Sequence, residues 1–262
     1  MKYLVMIMTA CLLITCSNPP TKKSHAELPA DPYAHLTDPQ VKKILKAAID
    51  EAGGMTTWQQ LEEIRYQKHS VLYLSDSSIE SEVIQQHIYR MRPAFEADIS
   101  WEVNDDRHLL QYTPDQTRKY VNDNLQEADE TALRESVMSS FYVLGMPFKL
   151  LDAGVLLTYK GITDFEGFQA HAMEARYSSG NYENHSTDDL WWYYFDVEGS
   201  GFLGAMVYHA PTYALIRNLK FDVTTPIKFH AHRKSYRTDS LRNKQFLRAQ
   251  FWYEDYKVSM IK

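Results

Sequence analysis

Two periodicities divide the chain. Val41, Ile44, Leu45, Ala48 and Ile49 recur at i, i+3, i+4, i+7 and i+8, which places them on one face of a helix. Asp38 stands where a cap belongs, Pro39 suits the first helical position, and Gly53-Gly54 stops the run. A short helical turn around Trp58 leads to Leu61, and there the period drops to two. Residues 64–74 alternate, Ser75-Asp76-Ser77-Ser78 turns, and 83–91 returns until Pro93 interrupts. Phe95, Ala97, Ile99, Trp101 and Val103 then alternate with Glu96, Asp98, Ser100 and Glu102, the pattern of a half-buried strand. Asn104-Asp105-Asp106 turns into another strand at 108–112.

The middle of the chain breaks the alternation. Residues 113–124 are polar. Residues 127–144 predict a helix with Leu133, Val137, Phe141 and Leu144 on one side, ended by Met146-Pro147-Phe148. Strand patterns resume at 155–160, 168–177, 190–197, 202–209, 215–223, 227–236 and 248–258, with Gly199-Ser200-Gly201 as a hairpin turn. About ten strands, mostly sequential neighbours, and two helices predict a mainly β (α+β) fold, one antiparallel sheet that curls or partly closes. Helices do not alternate with strands, which disfavours a parallel α/β sheet. There is no internal repeat and no sign of a second domain.

The N-terminus has a different pattern. After Met1-Lys2, residues 3–14 are apolar except for Thr9, followed by a polar stretch from Ser17 to Ser24. This is a secretory signal pattern, too short for a membrane-spanning helix of roughly 20 residues. The run ends Leu13-Ile14-Thr15-Cys16, which resembles the lipobox of bacterial lipoproteins; Thr15 stands where glycine, alanine or serine usually does. The resemblance implies that 1–15 is a signal peptide and that Cys16 carries lipid as the new N-terminus. Cys11, the competing candidate, leaves an apolar region of only about eight residues. Residues 16–36, with several prolines and no periodic apolar pattern, read as a lipidated flexible tether before a single domain at 37–262. Acyl chains contribute about 0.8 kcal/mol per buried CH₂, and two or more anchor stably. The expected partner is therefore a membrane, in the cell envelope. Ser17-Asn18 has no acidic residue, so the default is an outer-membrane anchor facing the periplasm.

Composition sharpens this picture. Cys11 and Cys16 are the only cysteines, so a body cleaved before Cys16 has no disulfide framework, no thiolate catalyst and no Cys-ligated zinc. The net charge is -6, and loss of Lys2 makes it one unit more acidic. That argues against nucleic acid and against electrostatic adhesion to anionic lipid. Tyrosine is the commonest aromatic, at 18, a strand-rich bias.

Candidate chemistry is sparse. His230-Ala231-His232 puts two histidines at i, i+2, on one face of a strand, where they are weak candidates for a metal site. His209, His171 or Asp222 would have to supply a third ligand. Lys228 and Lys234 continue that polar side, and cations beside a metal are unfavourable, so the better reading is a solvent-facing row and no cofactor. Asp188-Asp189 with His185 and Glu183 suggests an acid–base cluster or calcium loop, but the spacing is not that of an EF-hand; a polar loop explains it better. Glu96, Asp98, Ser100 and Glu102 form an outer strand face, where nothing shifts a pKa. No Gly-x-Ser-x-Gly elbow and no phosphate-binding loop appears, so no catalytic residue is assigned. The stretch "LWWYYFDV" carries Trp191, Tyr193 and Phe195 on one face and Trp192 and Tyr194 on the other. Either a helix or loop covers the second face, or one face lines an apolar cavity.

The short helix ending in Gly-Gly, the tryptophan after it, and the long antiparallel run resemble a family of uncharacterised bacterial envelope lipoproteins built on a domain of unknown function. "FYVLGMPFKLLDAGV" (141–155), with Pro147-Phe148 and Asp152-Ala153-Gly154, resembles that family's helix-to-strand segment. "IRNLKFDVTTPIKFHAHRKSY" resembles its final strands. That family's fold is similar to the lipoprotein carriers LolA and LolB, in which an unclosed antiparallel barrel is plugged by helices around an apolar cavity. The resemblance implies a non-catalytic protein that binds an acyl chain or other lipid. Phe141, Phe148, Trp191, Tyr193 and Phe195 are then lining candidates, and the helix at 127–144 a movable plug. An interaction subunit of an envelope complex is the alternative. A metal-dependent hydrolase using His230 and His232 is a third reading.

Overall fold

A computed structural model describes residues 31–178 and 189–261, and the compact body is Tyr33–Lys262. Cys11, Cys16, Glu183, His185 and Asp188 lie outside the described residues. Tyr33 is already buried in the core. The first helix, α1 (Pro39–Glu51), begins as its sequence dictates: the Asp38 carboxylate accepts from the backbone N–H groups of Gln40 and Val41 at 2.8 and 3.3 Å. Its five periodic apolar residues are all buried. Replacing Asp38 with alanine leaves two backbone donors without that acceptor and should lower stability by about 1 kcal/mol, read as a shift of the urea midpoint. At the far end Gly53 has φ +119°, and a Cβ there would stand 2.3 Å from the Pro226 carbonyl oxygen. The single turn α2 (Met55–Gln59) carries Trp58.

The strands are β1 (Leu61–Tyr73), β2 (Ile79–Arg90), β3 (Glu96–Val103), β4 (Asp106–Thr113), β5 (Gln116–Val121), β6 (Asn124–Leu125), β7 (Val155–Phe165), β8 (Phe168–Tyr177), β9 (Leu190–Asp196), β10 (Phe202–His209), β11 (Thr212–Phe221), β12 (His230–Thr238) and β13 (Lys244–Met260). Between β6 and β7 come α3 (Glu130–Leu144) and a 3-10 turn, Phe148–Leu151. All the strands form one antiparallel sheet in the order β6-β5-β4-β3-β2-β1-β13-β12-β11-β10-β9-β8-β7. The first strand thus meets the last at the centre, and among the described residues β6 and β7 are the edges of the sheet. The sheet is curled and not closed. The described residues hold thirteen strands, against about ten expected. The additions are β5 and β6, which occupy the polar stretch at 113–124. They lie at the sheet's edge, where few side chains are buried, so no apolar alternation is required of them. β5 is held instead by α3, through the Thr117 N–H donating to the Glu130 carboxylate at 2.9 Å.

Tight turns join the neighbours. Asn104-Asp105 and Asn122-Asp123 hold positive φ at both positions (51° and 67°; 49° and 65°), the geometry whose twist matches flanking strands. The main core fills the sheet's inner face around α1 and α3. A second cluster lies on the opposite face, where Phe165 stacks on Tyr194 (ring centroids 4.1 Å apart), with Met206 and Leu215 beside them. The Arg242 guanidinium, from the β12–β13 turn, lies over Tyr194 and donates to the Asp164 carbonyl at 2.7 Å. This explains the doubly aromatic strand: β9 faces the main core on one side and a small loop-covered core on the other.

Candidate functional site: a cavity beneath the third helix

α3 starts at Glu130 because Asp129 caps it, accepting from the Thr131 and Ala132 N–H groups. It has two inward stripes. Val137, Phe141 and Leu144 are buried in the main core. Ser136, Ser139, Ser140 and Val143, at i, i+3, i+4 and i+7, face a cavity of about 440 Å³ between the helix and the sheet. Three serines are too small to fill the space that larger side chains occupy along the other stripe. Ile99, Trp101, Leu110, Ile216 and Phe251 give the cavity apolar wall, while Lys68, Gln85, His87, Arg233, Ser235 and Tyr253 give it polar points. Its volume and mixed lining match small-molecule pockets, which run about 300–1,000 Å³. A larger depression, about 700 Å³, lies over β2 to β5. It is rimmed by exposed charges of both signs, including Glu82, Glu102, Arg107 and Asp123, and is a surface groove.

The five aromatic lining candidates do not border this cavity. Phe141 packs on Phe95 (4.5 Å), Tyr89 (5.1 Å) and Trp58 (6.1 Å). Phe148 stacks on Trp58 at 4.7 Å. Trp191 stacks on Tyr193, and Phe195 packs on Phe202. Tyr193, Tyr177 and Tyr142 join their hydroxyls in a buried chain, 2.6 and 2.7 Å apart, which ties α3 to β8 and β9. These residues form a filled core beside the cavity.

The two histidines of β12 fare differently from the i, i+2 expectation. Register shifts on either side of Lys220 interrupt the β11–β12 pairing. His230 is buried against Phe202, Phe221 and Tyr253. His232 stacks on Trp252 at 5.2 Å. Tyr253 and Trp252 are successive residues of one strand and point to opposite faces, so the pair cannot share an ion. The other proposed ligands are scattered: His171 meets the Tyr159 hydroxyl, His209 meets Asp189 at 2.5 Å, and Asp222 accepts from Thr224 and Thr225 in a turn. Among the described residues no group of three His, Cys, Asp or Glu side chains is placed to hold a metal. Of the outer-face carboxylates, Asp98 accepts from Arg90 at 2.7 Å and from Gln111 at 3.2 Å, a structural pairing.

Burial, and then the neighbouring Lys68 cation, pushes His87 well below its usual range; burial and Arg233 do the same to His230. Both rings are neutral in the native state. The unfolded chain takes up protons at these sites below about pH 6.5 while the native state does not. Stability is therefore full above that pH and falls as the pH drops toward the depressed native values, by at most about 1.4 kcal/mol per pH unit for each ring. The urea midpoint should decline from pH 7 to pH 5, with a shallower decline in a His87→Gln variant; a flat profile contradicts this.

Sequence reasoning missed the cavity residues. The serine spacing on α3 is present in the sequence, but serines suit a solvated helix face as well as a cavity wall. The register shift near Ala231 moves His230 to the inner face, where Arg233 lies by plain alternation.

No protein-family model matches the chain, and no curated protein matches it. Solved structures do. A DUF1329 family protein from Desulfovibrio piger superposes with a TM-score of 0.55 at 9% identity, over 85% of this chain and 94% of that one. A LolA superfamily protein from Nitrosomonas europaea gives 0.53 at 8% identity, over 85% and 94%. The shared feature is the fold, a curled, unclosed antiparallel sheet with few helices.

Proposed function

We propose that this LolA-like body is a non-catalytic binding protein that takes an apolar molecule, an acyl chain or lipid, into the cavity beneath α3. The observation that carries the reading is the cavity of about 440 Å³, kept open by Ser136, Ser139 and Ser140 opposite an apolar wall. In this reading α3 is the plug: its Val137–Phe141–Leu144 stripe stays seated while its serine stripe borders the ligand. The lipobox-like Cys16 fits a lipid-anchored envelope protein facing the periplasm; Cys16→Ser should then move the full chain from the membrane to the soluble fraction. The direct test uses the purified full chain. Organic extracts are examined by mass spectrometry for retained lipid, and uptake of uncharged N-phenyl-1-naphthylamine is followed by fluorescence. Retained lipid or saturable uptake is expected; absence of both rules the reading out.

A second reading, an interaction subunit of an envelope complex, is favoured by the edge strand β7. Leu156 and Ile162 there are 60% and 55% exposed, beside ladder groups that no strand among the described residues pairs and that suit an added strand. It predicts co-purification of a partner at fixed stoichiometry.

A further inference from the structure

Arg233 is 7% exposed and has no carboxylate partner among the described residues. Its Nε donates to Asn218 Oδ1 at 3.0 Å, and one terminal nitrogen reaches the Tyr253 hydroxyl at 3.5 Å. A guanidinium carries five N–H donors, so three are left, on a side chain that borders the cavity. Asn218 is itself committed, donating to the Phe202 carbonyl at 3.0 Å. Buried cations are ordinarily paired, because an uncompensated one is costly. Lys68 borders the same cavity and likewise has no acidic partner among the described residues; its ammonium lies over the Phe251 ring, 5.3 Å from the centroid. Lys68 pairs with Tyr253 across β1–β13, and Arg233 with Phe251 across β13–β12. The two basic residues thus rise from either side of β13, two positions out of register, with backbone positions about 12 Å apart by strand spacing and rise. Among the described residues no acidic side chain lines the cavity, on a chain whose net charge is -6.

We propose that the cavity is built for an amphiphile with an anionic oxyacid head, a carboxylate or phosphate on a single acyl chain, with the head on Arg233. This rests on the lipid-binding reading and specifies its ligand. The head accepts from the free guanidinium donors, with the serine hydroxyls of α3 and Lys68 around it. The chain lies along Ile99, Trp101 and Leu110. An uncharged ligand would leave the cation buried without a partner.

The test compares dodecanoate, dodecyl phosphate, dodecanol and dodecyltrimethylammonium as competitors of the uncharged naphthylamine probe, on the full chain. The expected result is displacement by the two anions at concentrations about tenfold or more below dodecanol, with the trimethylammonium weakest. Which anion is stronger separates a fatty acid from a phosphate-headed lipid as the source. Arg233→Gln should remove the preference for anions, read as the ratio of dodecanoate to dodecanol displacement within the variant itself; if it fails to fold, Lys68→Gln should narrow the same ratio. Equal displacement by dodecanoate, dodecyl phosphate and dodecanol overturns the headgroup assignment and leaves the lipid reading standing. No uptake of the probe itself defeats the reading beneath it.

Discussion

Phe195→Ala should lower the folding free energy by about 3–5 kcal/mol and leave probe uptake unchanged. Phe195 is fully buried at 0% exposure, packed on Phe202 at 5.5 Å inside the main core. Truncation removes a ring's worth of contacts, and β9 is too constrained by β8 and β10 to collapse into the gap. The thermal midpoint should fall by roughly 10 °C. The same residue, taken as a cavity wall, would give the reverse: a small change in stability and altered binding. Ser136→Ala, at the exposed mouth of the cavity, is the comparison and should leave the midpoint where it is. A Phe195→Ala protein within about 1 kcal/mol of the parent would mean that this core is looser than its packing indicates.

Gly204→Val should be at least as damaging, at about 3 kcal/mol or more. A Cβ at this position would stand 2.1 Å from the Ile216 carbonyl oxygen and 2.9 Å from the tip of the Phe165 ring. The first is backbone of the neighbouring strand and cannot swing aside. The second is the ring stacked on Tyr194, so moving it opens the outer cluster. Denaturant unfolding followed by tyrosine and tryptophan fluorescence reads the loss. A variant as stable as the parent would show that β10 and β11 separate freely at this point.

The legible parts of the fold were those where one physical signal acted alone. The 3.6 period of α1, capped by Asp38 and stopped at Gly53, and the strict alternation of β3 both specify their elements because one face is buried and the other wet. β5 and β6 lacked that contrast: at a sheet edge, Thr117 is the one buried residue of β5, and the strand is held by a Glu130 carboxylate from another element. The doubly aromatic β9 was rightly read as buried on both sides, but its alternatives could not be separated without knowing that the loop bearing Arg242 lies over Tyr194. The site was the least legible part. Aromatic residues announce burial, whether they line a space or fill one, and here Phe141, Phe148, Tyr193 and Phe195 fill it. The groups that leave space are serines, which announce nothing. The charge that gives the cavity its chemistry, Arg233, faces inward by plain alternation with His232, but a lone basic residue in a strand does not announce a cavity.

The claim on which the account turns is that the space beneath α3 is where ligand goes, and filling it is the most direct test. Ser140→Phe places a ring in the cavity at the cost of one hydrogen bond, between the Ser140 hydroxyl and the buried Tyr89. Naphthylamine titration of this variant, run beside its thermal midpoint, should show uptake abolished in a protein that still unfolds cooperatively, with a loss of no more than about 1 kcal/mol for the missing hydrogen bond. Undiminished uptake by a folded Ser140→Phe protein would contradict the account.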